Sequence, residues 1–187
     1  MKNFKNTTSG YGWGAIGLHW VLAILIIAAW GVGKYMVGLG YYDSLYHLLP
    51  EWHKIVGVII AVLMLLRFIW RLVNPRPKAP VEHRAWEKVL SYTVQLGFYG
   101  LILLIVVTGY LMSTASGASI VLFFGLEIPA FSSAFIEDQE TVMGEWHEIL
   151  TTALAVLLLL HIAGALKHHF LDKDTTLKNI IKPGERV

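Results

Sequence analysis

Residues 145–170 read EWHEILTTALAVLLLLHIAGALKHHF. The stretch is apolar and long enough to cross a bilayer, yet it carries four histidines: His147, His161, His168 and His169. From His147 to His161, at about 100° per residue, a helix falls about 40° short of four full turns. Both rings therefore leave one face, roughly 21 Å apart along the axis. Ionisable side chains inside a span are costly and usually face the bundle interior with a function. Two imidazoles at opposite depths on one face are what a helix needs to hold two haems, one near each membrane surface. The other helices must then offer two more histidines at matching depths.

The composition favours a membrane protein. Of 187 residues, 56% are hydrophobic and 15% charged, against about 25% charged in soluble domains, and the mean hydropathy is +0.58. The chain has no cysteine. That removes disulfides, iron–sulfur clusters, thiolate chemistry and the covalent attachment of c-type haem. Any haem must therefore be non-covalent and b-type.

Four apolar spans follow from hydropathy: 14–36, 52–72, 89–112 and 146–169, each long enough for a hydrocarbon core of roughly 30 Å. The first continues through Trp30 and Tyr35, so it is a retained helix and not a signal peptide, whose apolar region is shorter. Asn74 to Pro80 (NPRPKAP) cannot continue a helix, and residues 81–88 are charged and expected at the surface. Residues 113–145 form the longest connection. Within it, 120–135 is apolar but broken by Gly125 and Pro129, which predicts a cap on the membrane surface and not a fifth span. A polar tail begins at Leu171. The expected fold class is an all-α integral membrane four-helix bundle, a single domain over 1–187.

Basic residues set the orientation. No lysine or arginine lies between Lys88 and Lys167, and the first loop with its helix ends adds only Lys34 and Lys54. The N-terminus, the region from Arg67 to Lys88 and the tail hold the other thirteen. Positive-inside places both termini in the cytoplasm and leaves an acidic outer surface. Two helices then open alike on the outer side: Glu51-Trp52-His53 begins the second span and Glu145-Trp146-His147 the fourth. Tryptophan at an interface is common, but a shared Glu-Trp-His exceeds what a belt requires.

Depth now pairs the histidines. His53 and His147 lie near the outer face. His19, a turn and a half into the first span, and His161 lie a few residues short of the inner one. Each pair joins different helices, as bis-histidine ligation requires, and neutral imidazole with its second nitrogen on a carbonyl or water binds iron well. Taken singly, each histidine is better explained as a hydrogen-bonded interior or interfacial group; four that pair by depth are not. A zinc or di-metal site is disfavoured, because the pairs are far apart and the spans hold no carboxylate beyond Glu148 at the outer end of the fourth. His47 and His83 fall in loops and are expected to be solvated. His168, about two turns past His161, has three readings: a juxtamembrane residue beside Lys167, part of a quinone pocket, or an alternative inner ligand. Arg67 follows His53 by the interval that separates His147 from His161, so it lies at the depth of His161. A guanidinium there needs an anion, and haem carboxylates suit its planar fork. Arg71, one turn further, can snorkel alone. Gly57, Gly97, Gly100, Gly109 and Gly164 offer close approach to flat macrocycles, although small residues pack membrane helices in any case.

The set of motifs resembles the prokaryotic cytochrome b561 family of four-helix di-haem membrane cytochromes b. The matching residues are Leu18-His19-Trp20, His53, Arg67 and Arg71 before the proline-rich linker, Trp146-His147-Glu148, and His161 followed by Ala165-Leu166-Lys167-His168-His169-Phe170. Asp172-Lys173-Asp174-Thr175-Thr176-Leu177 also fits. The resemblance covers nearly the whole chain. It implies a multi-pass carrier of the bacterial inner membrane with two haems b and the four histidines as axial ligands. Its partners would be membrane lipid, a quinone such as ubiquinone and a redox protein, with a periplasmic one in view; no nucleic-acid partner is expected. One branch of the family implies superoxide oxidation at the outer surface. The acidic outer loops here would repel that anion unless Lys54 is locally exposed. Two other readings stay open on residues alone: a transporter relaying protons through His19, His161 and Arg67, and a membrane subunit anchoring another redox enzyme.

Overall fold

The computed structural model describes residues 3–78, 84–131 and 133–183; His83 lies outside them. Four long helices dominate: α1 (Trp13–Met36), α2 (Leu48–Val73), α3 (Ala85–Ser113) and α4 (Gln139–Phe170). Each is long and apolar enough to cross a membrane. Two short strands, β1 (Ile120–Val121) and β2 (Glu127–Ile128), and a last turn of helix, α5 (Thr176–Asn179), complete the described chain.

The helices exceed the expected spans at their ends, for local reasons. Helix α2 starts before residue 52 because Pro50 sits in its first turn, where no backbone donor is missed. It stops at Val73, ahead of Asn74 and Pro75, as the restriction on residues before proline demands. The charged segment before residue 89 contributes a helical turn, since Glu87 Oε2 accepts from the Arg84 amide at 2.9 Å and caps α3. Helix α4 begins at Gln139, whose buried side chain accepts from the Phe135 amide and donates to the Leu111 carbonyl, each at 3.0 Å. The long connection is shortened accordingly. The segment expected as a broken apolar cap holds an antiparallel hairpin, with Ile120 opposite Ile128 and Val121 opposite Glu127.

The chain forms two compact units. One comprises Met1–Ile24, Val62–Tyr99 and Val156–Val187. In it, the N-terminal segment is stitched to the chain beyond α2: Lys78 N donates to Thr8 O at 3.1 Å, and Phe4 stands edge-on to Trp70 at 5.3 Å. Gly14 is required beneath that indole, since a Cβ there would lie 2.6 Å from its Cζ2. The tail returns to the same unit, where Trp20 Nε1 donates to Ile180 O at 2.9 Å.

The other unit comprises Leu25–Ala61 and Gly100–Ala155. An ion pair, Lys34 Nζ to Glu148 Oε1 at 2.7 Å, joins α1 to α4. Tyr110 ties the hairpin down by donating to Pro129 O at 2.8 Å. Across the described residues, only Ile16, Leu22, Ile60, Ile102, Ile120 and Leu154 are buried apolar side chains. Long apolar residues such as Ile24, Val62, Leu65, Leu103 and Leu159 stand exposed along the helices. In water that surface would be costly; acyl chains are its natural solvent.

Candidate functional site

Within each histidine pair the two rings face each other. In the first unit the His19 ring of α1 and the His161 ring of α4 have centroids 6.3 Å apart, with planes at 63°. In the second, His53 of α2 and His147 of α4 are also 6.3 Å apart, at 78°. Two imidazole nitrogens, each about 2 Å from a metal between them, put their ring centres about 6 Å apart. The spacing therefore leaves room for a shared metal, and it recurs in both units.

The surroundings of the second pair fit the same group. His147 Nδ1 donates to the Ile105 carbonyl at 3.0 Å and lies 3.3 Å from Thr108 Oγ1. A proton held at Nδ1 leaves Nε2 with the lone pair a metal needs. Gly109 makes room for the ring: a Cβ there would meet His147 Cε1 at 3.0 Å and Nδ1 at 3.2 Å. Gly33 does the same for His53, with Cε1 at 3.3 Å. His53 Nδ1 is buried with no described partner. In the first unit Phe98 leans edge-on against His161 at 5.3 Å, and Trp20 against His19 at 5.4 Å. Two facing pairs of imidazoles, with the His147 tautomer fixed by the Ile105 carbonyl, fit haem iron.

Arg67 stands within electrostatic reach of both His19 and His161, and no described carboxylate pairs with it. The Arg71 guanidinium instead lies over the Tyr99 ring, 5.9 Å from its centroid. His168 belongs to a polar knot at the end of α4. Its Nδ1 lies 2.7 Å from Asp174 Oδ2 and 3.0 Å from Asp172 Oδ2. The Asp174 side chain is 1% exposed and also accepts from the Thr176 amide at 2.8 Å. Glu87, His168 and Asp172 bring ligand atoms within 4.8 Å of one another. That is no cation site, because the Lys167 ammonium already bridges Glu87 at 2.8 Å and Asp172 at 2.7 Å. His47 is exposed, as expected, with its ring edge-on to Tyr41 and Tyr46.

The family model for prokaryotic cytochrome b561 matches residues 10–183. This chain belongs to that family. Cytochrome b561 homolog 2 of Escherichia coli (strain K12) is 35% identical over 179 residues, covering 96% of this chain and 95% of the relative. The "Probable superoxide oxidase CybB" of Yersinia pestis is 27% identical over 166 residues, 87% of this chain and 90% of the relative. As a member of the cytochrome b561 family with four apolar helices, the protein is a multi-pass, haem-b electron-transport cytochrome of the inner membrane.

Several residues around the pairs of this cytochrome b561 are not singled out by hydropathy or by histidine spacing. Gly33, Ile105, Thr108 and Phe98 are among them. Only Gly33 left a signal: it follows His19 by the interval that also separates His147 from His161. Of the glycines expected against a macrocycle, Gly109 meets a histidine and Gly97 would meet Leu157 at 3.3 Å. Gly57, Gly100 and Gly164 have nothing within 4 Å of a Cβ position.

Proposed function

We propose that this cytochrome b561 is a single membrane domain over residues 1–187 that binds two haems b and moves electrons between a quinone and a redox protein. The reading rests chiefly on one observation, the equal 6.3 Å spacing of two histidine pairs drawn from different helices. His19 with His161 and His53 with His147 are the axial ligands. The basic distribution sets both termini in the cytoplasm, so the first pair is the inner site and the second the outer. Bound haem supplies reversible one-electron exchange; the residues supply ligation, orientation and charge. A pyridine haemochrome assay on purified protein should give two haems per chain. A value near one, or none, sinks the assignment, and a histidine-relay transporter would show no α band at all.

Arg67 holds the inner haem through its carboxylates and stabilises the reduced, more negative site. Arg67→Leu keeps bulk and removes charge. Both haems should stay bound while one midpoint falls by on the order of 50 mV, the one-electron equivalent of about 1 kcal/mol of Coulomb energy. A redox titration with both midpoints unchanged rejects the role.

The quinone, ubiquinone for example, meets the protein on the inner side at His168, where the basic inner surface of Arg71, Arg76 and Lys78 favours developing negative charge. With Nδ1 turned to Asp172 and Asp174, the ring can take up and release a proton at Nε2 during quinone chemistry. An unidentified redox protein, periplasmic in this orientation, completes the circuit. The printed name of the Yersinia pestis relative favours a second reading, oxidation of superoxide at the outer site. Against it, both lysines on that side are spoken for: Lys54 pairs with Glu51 at 2.6 Å and Lys34 with Glu148. An approaching anion meets paired charge and acidic loops.

A further inference from the structure

The hairpin between α3 and α4 carries an unusual turn. Leu126 N donates to Phe123 O at 3.2 Å, and the two residues between them both have positive φ, Phe124 at 59° and Gly125 at 73°. The register makes residues 123–125 a three-residue loop, closed by Leu122 N donating to Leu126 O at 2.6 Å, and its last two positions, both left-handed, suit asparagine and glycine. Phenylalanine is among the residues least suited to the first of these two. Its ring is nonetheless fully exposed, so no contact within the described chain offsets the backbone strain. Strained residues persist where the surroundings compensate them, and among the described residues the Phe124 side chain makes no contact that does so.

Three observations identify the compensating contact as lipid. First, the tip has no polar side chain: residues 120–126 read IVLFFGL, and the nearest acid, Glu127, is held at the base by the Ser119 hydroxyl. Second, Phe123 packs against Trp52, with ring centroids 5.7 Å apart. Trp52 lies in the first turns of α2, where a spanning helix leaves the acyl region and indoles sit at the headgroup level. The turn is thereby fixed at interface depth. Third, the tip is continuous with the exposed apolar side of α2 through Trp52 and Ile59, which in a membrane protein is the lipid-facing side.

We propose that the turn Phe123-Phe124-Gly125-Leu126 is a membrane anchor. The Phe124 ring inserts into the leaflet beside the His53–His147 pair and holds the α3–α4 connection against the bilayer. The absence of cysteine makes the test clean, since any introduced thiol is unique. Phe124→Cys is labelled with a nitroxide in phosphatidylcholine–phosphatidylglycerol nanodiscs, and collision with oxygen is compared with collision with a water-soluble nickel chelate. Leu103→Cys on exposed α3 serves as the lipid reference and Glu137→Cys as the aqueous one. The oxygen-to-nickel ratio at position 124 should exceed that at 137 several-fold and approach that at 103. Leu126→Cys should report the same depth and serves if Phe124→Cys does not fold. A ratio at both tip positions matching position 137 overturns the anchor. So does a label sheltered from both reagents, which would mean that a second copy or another protein covers the turn.

Discussion

His161→Ala should strip one haem from the protein and leave the other in place, with His147→Ala doing the reverse. Both histidines lie on α4, about four turns apart, but each faces a partner from a different helix: His19 for His161, His53 for His147. Loss of one imidazole from a bis-histidine site removes half of the axial ligation. The bound haem per chain should fall from about two to about one, with the surviving site keeping its own midpoint. The pairing gives a sharper check than the count. His19→Ala must reproduce the spectrum and midpoint of His161→Ala, and His53→Ala those of His147→Ala. The second pair should tolerate less around it, because Gly109→Ala would press a methyl to 3.0 Å from the His147 ring. If His168→Ala removes a haem and His161→Ala does not, the inner ligand has been misassigned.

Much of this arrangement is legible in the chain because periodicity and depth are one-dimensional quantities. A helix of fixed rise turns the interval from His147 to His161 into a statement about face and depth. The same interval links His19 to Gly33 and His53 to Arg67, so three helices repeat one spacing. Apolar runs and the Asn74–Pro75 break locate the helix ends to within about four residues, except that α4 begins well before residue 146, at Gln139. What sequence does not carry is contact between elements distant in the chain. That Ile105 offers its carbonyl to His147, or that Lys167 reaches Glu87, depends on packing that no local rule encodes. The hairpin at 120–128 is missed for a different reason. Its signal is an apolar run with one glycine, and the asparagine or aspartate that marks such a turn is replaced by Phe124.

The largest kinetic effect is expected at His168. Quinone reduction takes up protons, and a positioned acid or base contributes typically 10²–10⁴-fold to such transfers. His168→Ala should therefore slow reoxidation of the reduced protein by a short-chain quinone by on the order of 10²-fold, followed as decay of the α band in stopped flow. Haem content should be unchanged, since the ring is not one of the facing pairs. Asp174 acts through His168: nearly inaccessible and 2.7 Å from Nδ1, it orients the ring and fixes where its proton sits. Asp174→Asn keeps the shape and can still hydrogen-bond, but it loses the negative charge. It should lie between wild type and His168→Ala in rate. The bland alternative is that His168 merely joins Lys167, Glu87 and Asp172 in tying the tail to α3. In that case His168→Ala lowers thermal stability, while the quinone reacts at the wild-type rate with both haems in place. That pair of results would remove the quinone from this residue.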